Sequence, residues 1–325
     1  MHFEEAISTQ IGRTVTADRA YELFWAGIID DKRAFRCPGE SCSAQVTCAN
    51  LDVIEQDLKV QPHFRLYGQH TAGCPFDRER IVPSTGRSGS RSGSHGTYQL
   101  SQADVFQLSR PADHFVRTTL AMPSDGREET RPATRTRTTN VTEARQRKFY
   151  SVGTLVSRWL ALRSEGRLAE SQIQIGNMAT TYERLFRGVY NQDAQSLEGV
   201  SHIYWGKAWV ERMQSGKGFR LRFNESFKVD DLVCRPTLWI YDDKLEKYDL
   251  KKLLLSRLNA AVEKSKGACV LFVYGTPVVV HDLDSATSTA PYTRSFVNFK
   301  VPNLDLLEVR GLDLFEQLRQ KPQFN

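Results

Sequence analysis

The chain of 325 residues has no long hydrophobic run and few cysteines or histidines. No apolar stretch approaches the roughly 20 residues that a membrane-spanning helix needs. The first residues, MHFEEAISTQIGRTV, lack the basic and apolar stretches of a secretory signal. These absences predict a cytoplasmic protein with no membrane partner, and in a reducing compartment disulfides are not expected.

The motifs of several common catalytic sites are also missing. The sequence has no glycine-rich phosphate loop, no G-x-S-x-G and no H-E-x-x-H, so no small-molecule cofactor is expected. Two groups remain as candidates for a divergent metal-dependent nuclease: Asp242 and Asp243 beside Lys244, and His281 with Asp282 in the segment VHDLDS. Both groups are also typical of turns, and the sequence favours a non-catalytic protein.

The cysteines that are present are concentrated near the N-terminus. Four of the six cysteines and two of the seven histidines lie between Cys37 and Cys74. Cys37 and Cys42 form a Cys-x4-Cys pair, and His70 and Cys74 form a His-x3-Cys pair, which are permitted spacings for zinc ligands. Thiolate and imidazole donors favour a closed, tetrahedral zinc site. We therefore predict structural Zn²⁺ at these four residues, with His63 as the alternative to His70.

The alternative interpretation is that these are ordinary core cysteines and surface histidines. We assign the role of small buried hydrophobes to Cys48, Cys234 and Cys269. A first region of about 80 residues with modest apolar content is marginal on its own, and a bound metal supplies folding free energy. This marginal size favours the metal interpretation for the cluster.

The segments FRCPGESCSAQV and PHFRLYGQHTAGCPF carry a resemblance to a known family. Together they resemble the N-terminal zinc ribbon of CoiA-like competence proteins and related uncharacterised bacterial proteins. That family has a cysteine pair, here Cys37 and Cys42, a His-Phe element at His63, and a final cysteine at Cys74. This chain spaces the pair more widely and adds His70. The resemblance, over about a tenth of the chain, implies a bacterial, DNA-related context and no enzyme activity, because the nuclease motif is not found.

A basic segment follows the cysteine-rich region. Residues 81–150 contain ten arginines and one lysine against six acidic residues, which accounts for +5 of the net charge of +6. Few large apolar residues occur in it, so it cannot bury enough surface to offset the entropy of ordering. We predict a mostly disordered Ser/Thr/Arg-rich linker. It is either a solubilising spacer or an arm that binds phosphates, in which Arg135 and Arg137 are candidates.

The remaining residues, 151–325, show the order β-β-β-α-β-β. A hairpin loop, QSGKG, joins the first two strands, and the helix KLEKYDLKKLLLSRLNAAVEKSKG follows the third. This is the order of an OB-fold, a five-stranded barrel. The predicted fold class is α+β: a zinc ribbon over 1–80, a linker over 81–150, and an OB-like barrel with flanking helices over 151–325. A generic α+β sheet with one covering helix would give a similar order of predicted strands and helix.

The strands of this region alternate aromatic and cationic side chains. Single-stranded nucleic acid is held by stacking on aromatic rings within a basic groove. The candidates are Trp205, Trp209 and Trp239 for stacking, and Arg220 and Arg222 for phosphates. Such residues are also common in cores and on solvated outer faces.

The sequence as a whole predicts a zinc-containing protein that binds nucleic acid without catalysis. DNA is favoured over RNA, and single-stranded DNA is the expected partner. Two alternatives stay open: the metal-dependent nuclease, and an adaptor that binds a protein partner in a phage-defence or mobile-element system.

Overall fold

The computed structural model describes residues 5–54, 57–58, 60–77, 103–112, 114–115, 147–190, 192–197, 199–229, 232–282 and 294–319. The fold is α+β, and the chain forms two compact units. Unit 1 comprises Met1–Leu51, Pro62–Gln102 and Phe115–Arg147, and unit 2 comprises Asp52–Gln61, Ala103–His114 and Lys148–Asn325. None of the helices in the described parts is long and apolar enough to cross a membrane.

Unit 1 is a five-stranded antiparallel sheet with one helix. Its strands are β1 (Glu5–Ser8), β2 (Arg13–Thr16), β3 (Phe35–Arg36), β4 (Gln45–Ala49) and β5 (His63–Tyr67). They lie in the order β2-β1-β3-β4-β5. The segments AFRCPGESC, SAQVTCANL and QPHFRLYGQ predict three strands around the cysteine turn. These are confirmed as β3, β4 and β5, whereas β1 and β2 were not predicted.

The segment TADRAYELFWAGIIDDK predicts a helix that runs from a threonine cap to Lys32, and helix α1 (Ala17–Trp25) begins at that cap. The hydroxyl oxygen of Thr16 accepts a hydrogen bond from the backbone N–H of Arg19. The predicted helix extended to Lys32, but the observed helix ends seven residues earlier, since Gly27 has a φ of +74° and takes the chain out of the helical conformation.

Unit 2 contains the other helices and strands. Its strands are β6 (Asp104–Phe106), β7 (Lys148–Phe149), β8 (Gln172–Ile175), β9 (Met178–Thr181), β10 (Phe186–Gly188), β11 (Gln192–Asp193), β12 (His202–Arg212), β13 (Gly218–Phe223), β14 (Phe227–Val229), β15 (Leu232–Cys234), β16 (Thr237–Tyr241), β17 (Ala268–Gly275), β18 (Pro277–Asp282), β19 (Arg294–Phe299) and β20 (Leu307–Arg310). Its helices are α2 (Val152–Ser164), α3 (Tyr182–Leu185), α4 (Asp242–Glu246), α5 (Lys251–Ser265) and α6 (Asp313–Arg319).

The largest sheet of unit 2 curls into a half-barrel. Its strands lie in the order β18-β19-β16-β13-β12-β17-β20, and β10 also pairs with β12. Strands β16 and β19 are parallel, and the other neighbours along this order are antiparallel. Only Thr276 separates β17 from β18. The continuous segment β17–β18 therefore pairs with β12 through its first half and with β19 through its second half. This pairing curls the sheet, because β12 and β19 are separated by two other strands in the order.

Alternation along the strands separates an interior from an outer face. The interior of the half-barrel is a hydrophobic core, to which β13 contributes Phe219, Leu221 and Phe223, each with no exposed surface. Helix α5 adds Leu254 and Leu258 to this core. The sequence predicted one long helix here, but the chain forms α4 and α5 with a turn between them.

A second layer packs on the outside of β12 and β17. It consists of α2 and a four-stranded sheet in the order β7-β6-β8-β9. Trp159 of α2 stacks on Phe186 with ring centroids 4.6 Å apart. Strands β6 and β7 lie within the predicted linker, so residues 103–112 and 148–150 of that segment are ordered parts of unit 2.

Charged side chains are buried where α2 and α5 meet β20. Glu308 is 2% exposed, and its carboxylate pairs with the guanidinium groups of Arg257 at 2.5 Å and Arg310 at 2.7 Å. Arg310 also donates to the carbonyl oxygen of Gly153 at 3.0 Å. These contacts join two helices to one strand through a single carboxylate.

Candidate metal centre and aromatic face

The four predicted metal ligands come together in unit 1. The ligand atoms of Cys37, Cys42, His70 and Cys74 all lie within 4.8 Å of one another. Sγ of Cys37 is 3.7 Å from Sγ of Cys74, and Sγ of Cys42 is 3.5 Å from Nδ1 of His70. All three cysteines are buried, and His70 is half-buried.

The distances between the ligand atoms suit a shared cation. Zinc binds thiolates at about 2.3 Å, so two sulfurs of a tetrahedral site lie about 3.8 Å apart. The observed separation of 3.7 Å agrees with that value. A disulfide would need roughly 2.05 Å, and all six cysteines of the chain are free thiols. These four residues can therefore hold a metal ion.

The turn that carries the first two cysteines depends on Gly39. Its backbone N–H donates to Sγ of Cys37 at 3.3 Å, and its carbonyl accepts from the N–H of Cys42 at 3.1 Å. A Cβ atom at this position would lie 2.7 Å from Sγ of Cys74. Only glycine lets the backbone approach the sulfurs this closely.

The pKa values of the two thiols in this turn are shifted in opposite directions. Burial raises the pKa of Cys37 to about 12, although the N–H of Gly39 acts in the other direction. Burial would also raise the pKa of Cys42, but hydrogen bonds from the backbone N–H groups of Thr71 and Ala44 lower it to about 6. Cys42 is therefore prepared as a thiolate, and a divalent cation would hold Cys37 as a second one.

The other cysteine and histidine candidates lie outside this cluster. Nε2 of His63, the alternative ligand, accepts a hydrogen bond from Nε of Arg65 at 2.8 Å. Cys48, Cys234 and Cys269 are buried in strands, as the sequence predicted. Within the described ranges, no second group of three or more potential ligands occurs.

The nuclease candidates lie at the start of α4 and in β18. Asp242 and Asp243 occupy the first turn of α4, without a third potential metal ligand among the described residues. His281 and Asp282 belong to β18, and their side chains lie outside the described residues.

The outer surface of four neighbouring strands brings together most of the predicted nucleic-acid-binding residues. One row across β12, β13, β16 and β19 consists of Trp209, Arg222, Thr237 and Asn298. The next row joins Glu211, Arg220 and Trp239. We call this surface the aromatic face; it comprises Trp209, Arg220, Arg222, Thr237, Trp239, Tyr241, Phe296 and Asn298.

Exposure distinguishes the aromatic residues of this region. Trp239, Tyr241 and Phe296 are 40%, 49% and 43% exposed, which is unusual for large apolar side chains. Trp209 is half-buried, and Nζ of Lys207 lies 5.7 Å from the centre of its ring. Trp205 is also half-buried but packs on Trp159 and Phe272, so it belongs partly to the second layer. The predicted set omitted Tyr241 and Phe296, which strand alternation places on the same face.

The two arginines of β13 differ in their pairing. Arg220 forms an ion pair with Glu211 across the strands. Nε of Arg222 is buried and has no hydrogen-bond partner in the described part of the chain. Arg222 thus has a donor without a partner among the described residues, whereas Arg220 is held in an ion pair. Arg135 and Arg137 lie outside the described residues.

Comparisons of the chain with protein-family models, with curated proteins and with solved structures give no match.

Proposed function

We propose that this protein binds single-stranded DNA through the aromatic face. The observation that carries the proposal is the cluster of exposed rings, Trp239, Tyr241 and Phe296, next to the unpaired Nε of Arg222. Stacking on exposed rings with phosphates held by neighbouring cations is how single strands are bound without sequence preference.

The strand order supports an OB-like barrel as the platform for this face. Counting β12, β13, β16, β17–β18 and β19 as strands one to five, the sheet runs four-one-two-three-five, with the third and fifth strands parallel. The helices α4 and α5 lie between strands three and four. An OB-fold has this order, and its second and third strands bind oligonucleotides. Here those strands carry Arg222 and Trp239.

Zinc is the metal that we propose for the cluster in unit 1. Three sulfurs and one imidazole nitrogen are soft and borderline donors, which favour zinc over the oxygen-seeking cations. The four protein ligands leave no open position for a reacting water, so its role is structural.

Replacing Trp239 with alanine should weaken the binding of a labelled poly-dT oligonucleotide. Loss of one stacking ring costs about 1–3 kcal/mol, or roughly fivefold to 150-fold in Kd. Fluorescence anisotropy measures this change. Tyr67→Ala is the matched control, because Tyr67 is 73% exposed but lies in unit 1. Equal losses in the two variants would argue against the aromatic face.

The salt dependence of binding should reveal the contribution of Arg222. For a single strand, the slope of log K against log salt changes by about 0.7 for each phosphate contact. Arg222→Ala should reduce the slope by this amount, and Arg135→Ala with Arg137→Ala should reduce it further. Arg167→Ala, which removes an exposed arginine that pairs with Glu165, should leave the slope unchanged.

The alternative functions predict other results in the same experiments. Magnesium-dependent cleavage of the oligonucleotide that is lost in Asp243→Ala would favour the nuclease. No retention of DNA or RNA at about 50 mM salt, where phosphate contacts are strong, would favour the protein-binding adaptor.

A further inference from the structure

A cavity of about 780 Å³ opens in unit 2, and β12 runs from its wall to the aromatic face. Its volume lies within the range of roughly 300–1,000 Å³ that is typical of small-molecule sites. The wall contains the ring of Trp205, the carboxylate of Glu225 and the cations Lys207, Lys228 and Arg319. Trp205 and Lys207 lie on the same side of β12 as Trp209, because side chains alternate along a strand. The cavity therefore lies next to the aromatic face along β12.

The carboxylate of Glu225 lacks a complete set of partners. Its Oε2 is buried and has no hydrogen-bond partner among the described residues. A Cβ atom at Gly206 would lie only 2.8 Å from this oxygen, so the glycine leaves room for it. Burial raises the pKa of the Glu225 carboxyl, although the backbone N–H groups of Glu225 and Lys207 act in the opposite direction. A buried acceptor without a donor is unfavourable, and a ligand N–H would satisfy it.

The remaining wall suits a flat, negatively charged ligand. Trp205 is held from behind by Phe272, with ring centroids 6.4 Å apart and planes at 25°. A ring fixed in this way can stack with a second flat ring. Lys228 and Arg319 are exposed residues of the wall, where a phosphate can meet them.

We propose that this cavity accepts one unpaired nucleobase that carries an exocyclic amino group. The base stacks on Trp205, its amino N–H donates to Oε2 of Glu225, and its phosphate lies near Lys228 and Arg319. Cytosine, adenine and guanine carry such a group, and thymine does not. The base can belong to a bound strand, in which case the proposal rests on the proposed function, or to a free nucleotide.

The test compares a 15-residue poly-dT oligonucleotide with one whose central thymidine is replaced by deoxycytidine. The cytosine-containing strand should bind about threefold to tenfold more tightly, because it adds one hydrogen bond. Glu225→Leu should abolish this preference and leave the affinity for poly-dT within twofold. Glu316→Leu, at an exposed position on the same wall, should retain the preference.

A second variant tests the cavity without changing Glu225, in case Glu225→Leu protein does not fold. Val233 lines the cavity and is 73% exposed, so Val233→Trp should narrow the entrance without disturbing the core. It should also remove the preference for cytosine. Equal binding of both strands by the unmodified protein would overturn the cavity proposal and leave the proposed function intact.

Titration with free nucleotides tests the cavity proposal independently of the proposed binding of single-stranded DNA. Calorimetric titration with deoxycytidine and thymidine monophosphates should show tighter binding of the former, dependent on Glu225. That result without any oligonucleotide binding would support the cavity and overturn the proposed function. Binding of a lysine- or arginine-containing peptide in place of either nucleotide would overturn the cavity proposal, because the carboxylate would then serve a cationic ligand.

Discussion

Replacing Cys74 with serine should remove the bound metal and unfold unit 1. Sγ of Cys74 is one of four converging ligand atoms, and it also lies 3.7 Å from Sγ of Cys37. Metal binding to such sites contributes apparent free energies of about 10–16 kcal/mol, which is comparable with or larger than the whole stability of a small domain. Elemental analysis should show a fall from one metal per chain to none, and circular dichroism should show loss of strand signal.

Cys48→Ala is the matched control for this experiment. Cys48 is fully buried on β4 but outside the cluster, so its loss leaves only a small cavity. The control protein should keep its metal and lose about 1–2 kcal/mol of stability. Chelation and mild acid should mimic Cys74→Ser, since protons compete with the metal for thiolates. Unchanged metal content and melting temperature in Cys74→Ser protein would contradict the metal site.

Replacing Glu308 with alanine should cost unit 2 about 3–5 kcal/mol of its free energy of unfolding. The reason is that both Arg257 and Arg310 would lose their carboxylate while remaining buried. Urea denaturation of the purified protein, followed by tryptophan fluorescence, measures the effect because several tryptophans lie in unit 2.

An exposed ion pair provides the comparison for Glu308. Glu165 pairs with Arg167 at 3.1 Å, and both side chains are well exposed. Glu165→Ala should therefore change stability by no more than about 1 kcal/mol. A loss of this small size in Glu308→Ala protein would show that water reaches the two arginines.

The metal ligands could be predicted from sequence because their chemistry is local. Cys37 and Cys42 are joined by one turn, and His70 and Cys74 by another, so spacing alone indicates which residues converge. The choice of His70 over His63 could not be made in this way. It depends on strand β5, which directs His63 towards Arg65 and leaves the following turn to bring His70 to the sulfurs.

The order of the longer strands and helices could also be predicted from the sequence, but the breaks within them could not. Period-2 alternation in GFRLRF and TLWIY indicates β13 and β16. The break between α4 and α5 falls within a continuous helical pattern, since Leu250 is buried at the boundary like the leucines that follow it. Strand β6 was assigned to the linker because few large apolar residues occur in residues 81–150 as a whole, although β6 itself carries Val105 and Phe106; its burial depends on pairing with β7 and β8.

Exposure on the aromatic face could not be derived from alternation. Alternation puts Trp205, Trp209 and Trp239 on outer faces alike, but only the tertiary structure determines which of these faces is covered. Trp205 is partly covered because α2 brings Trp159 against it. Trp239 lies on β16, where it stays 40% exposed.

The two units are not consecutive pieces of the chain. Residues 52–61 belong to unit 2 although unit 1 flanks them on both sides, and Asp57 within this segment contacts Nζ of Lys264 at 2.8 Å. A protein shortened to begin at residue 81 would therefore also lack a portion of the unit it was meant to isolate. To express the larger unit separately, residues 52–61 must be kept, for example by joining them to the start of the remaining residues of unit 2 with a short glycine–serine linker.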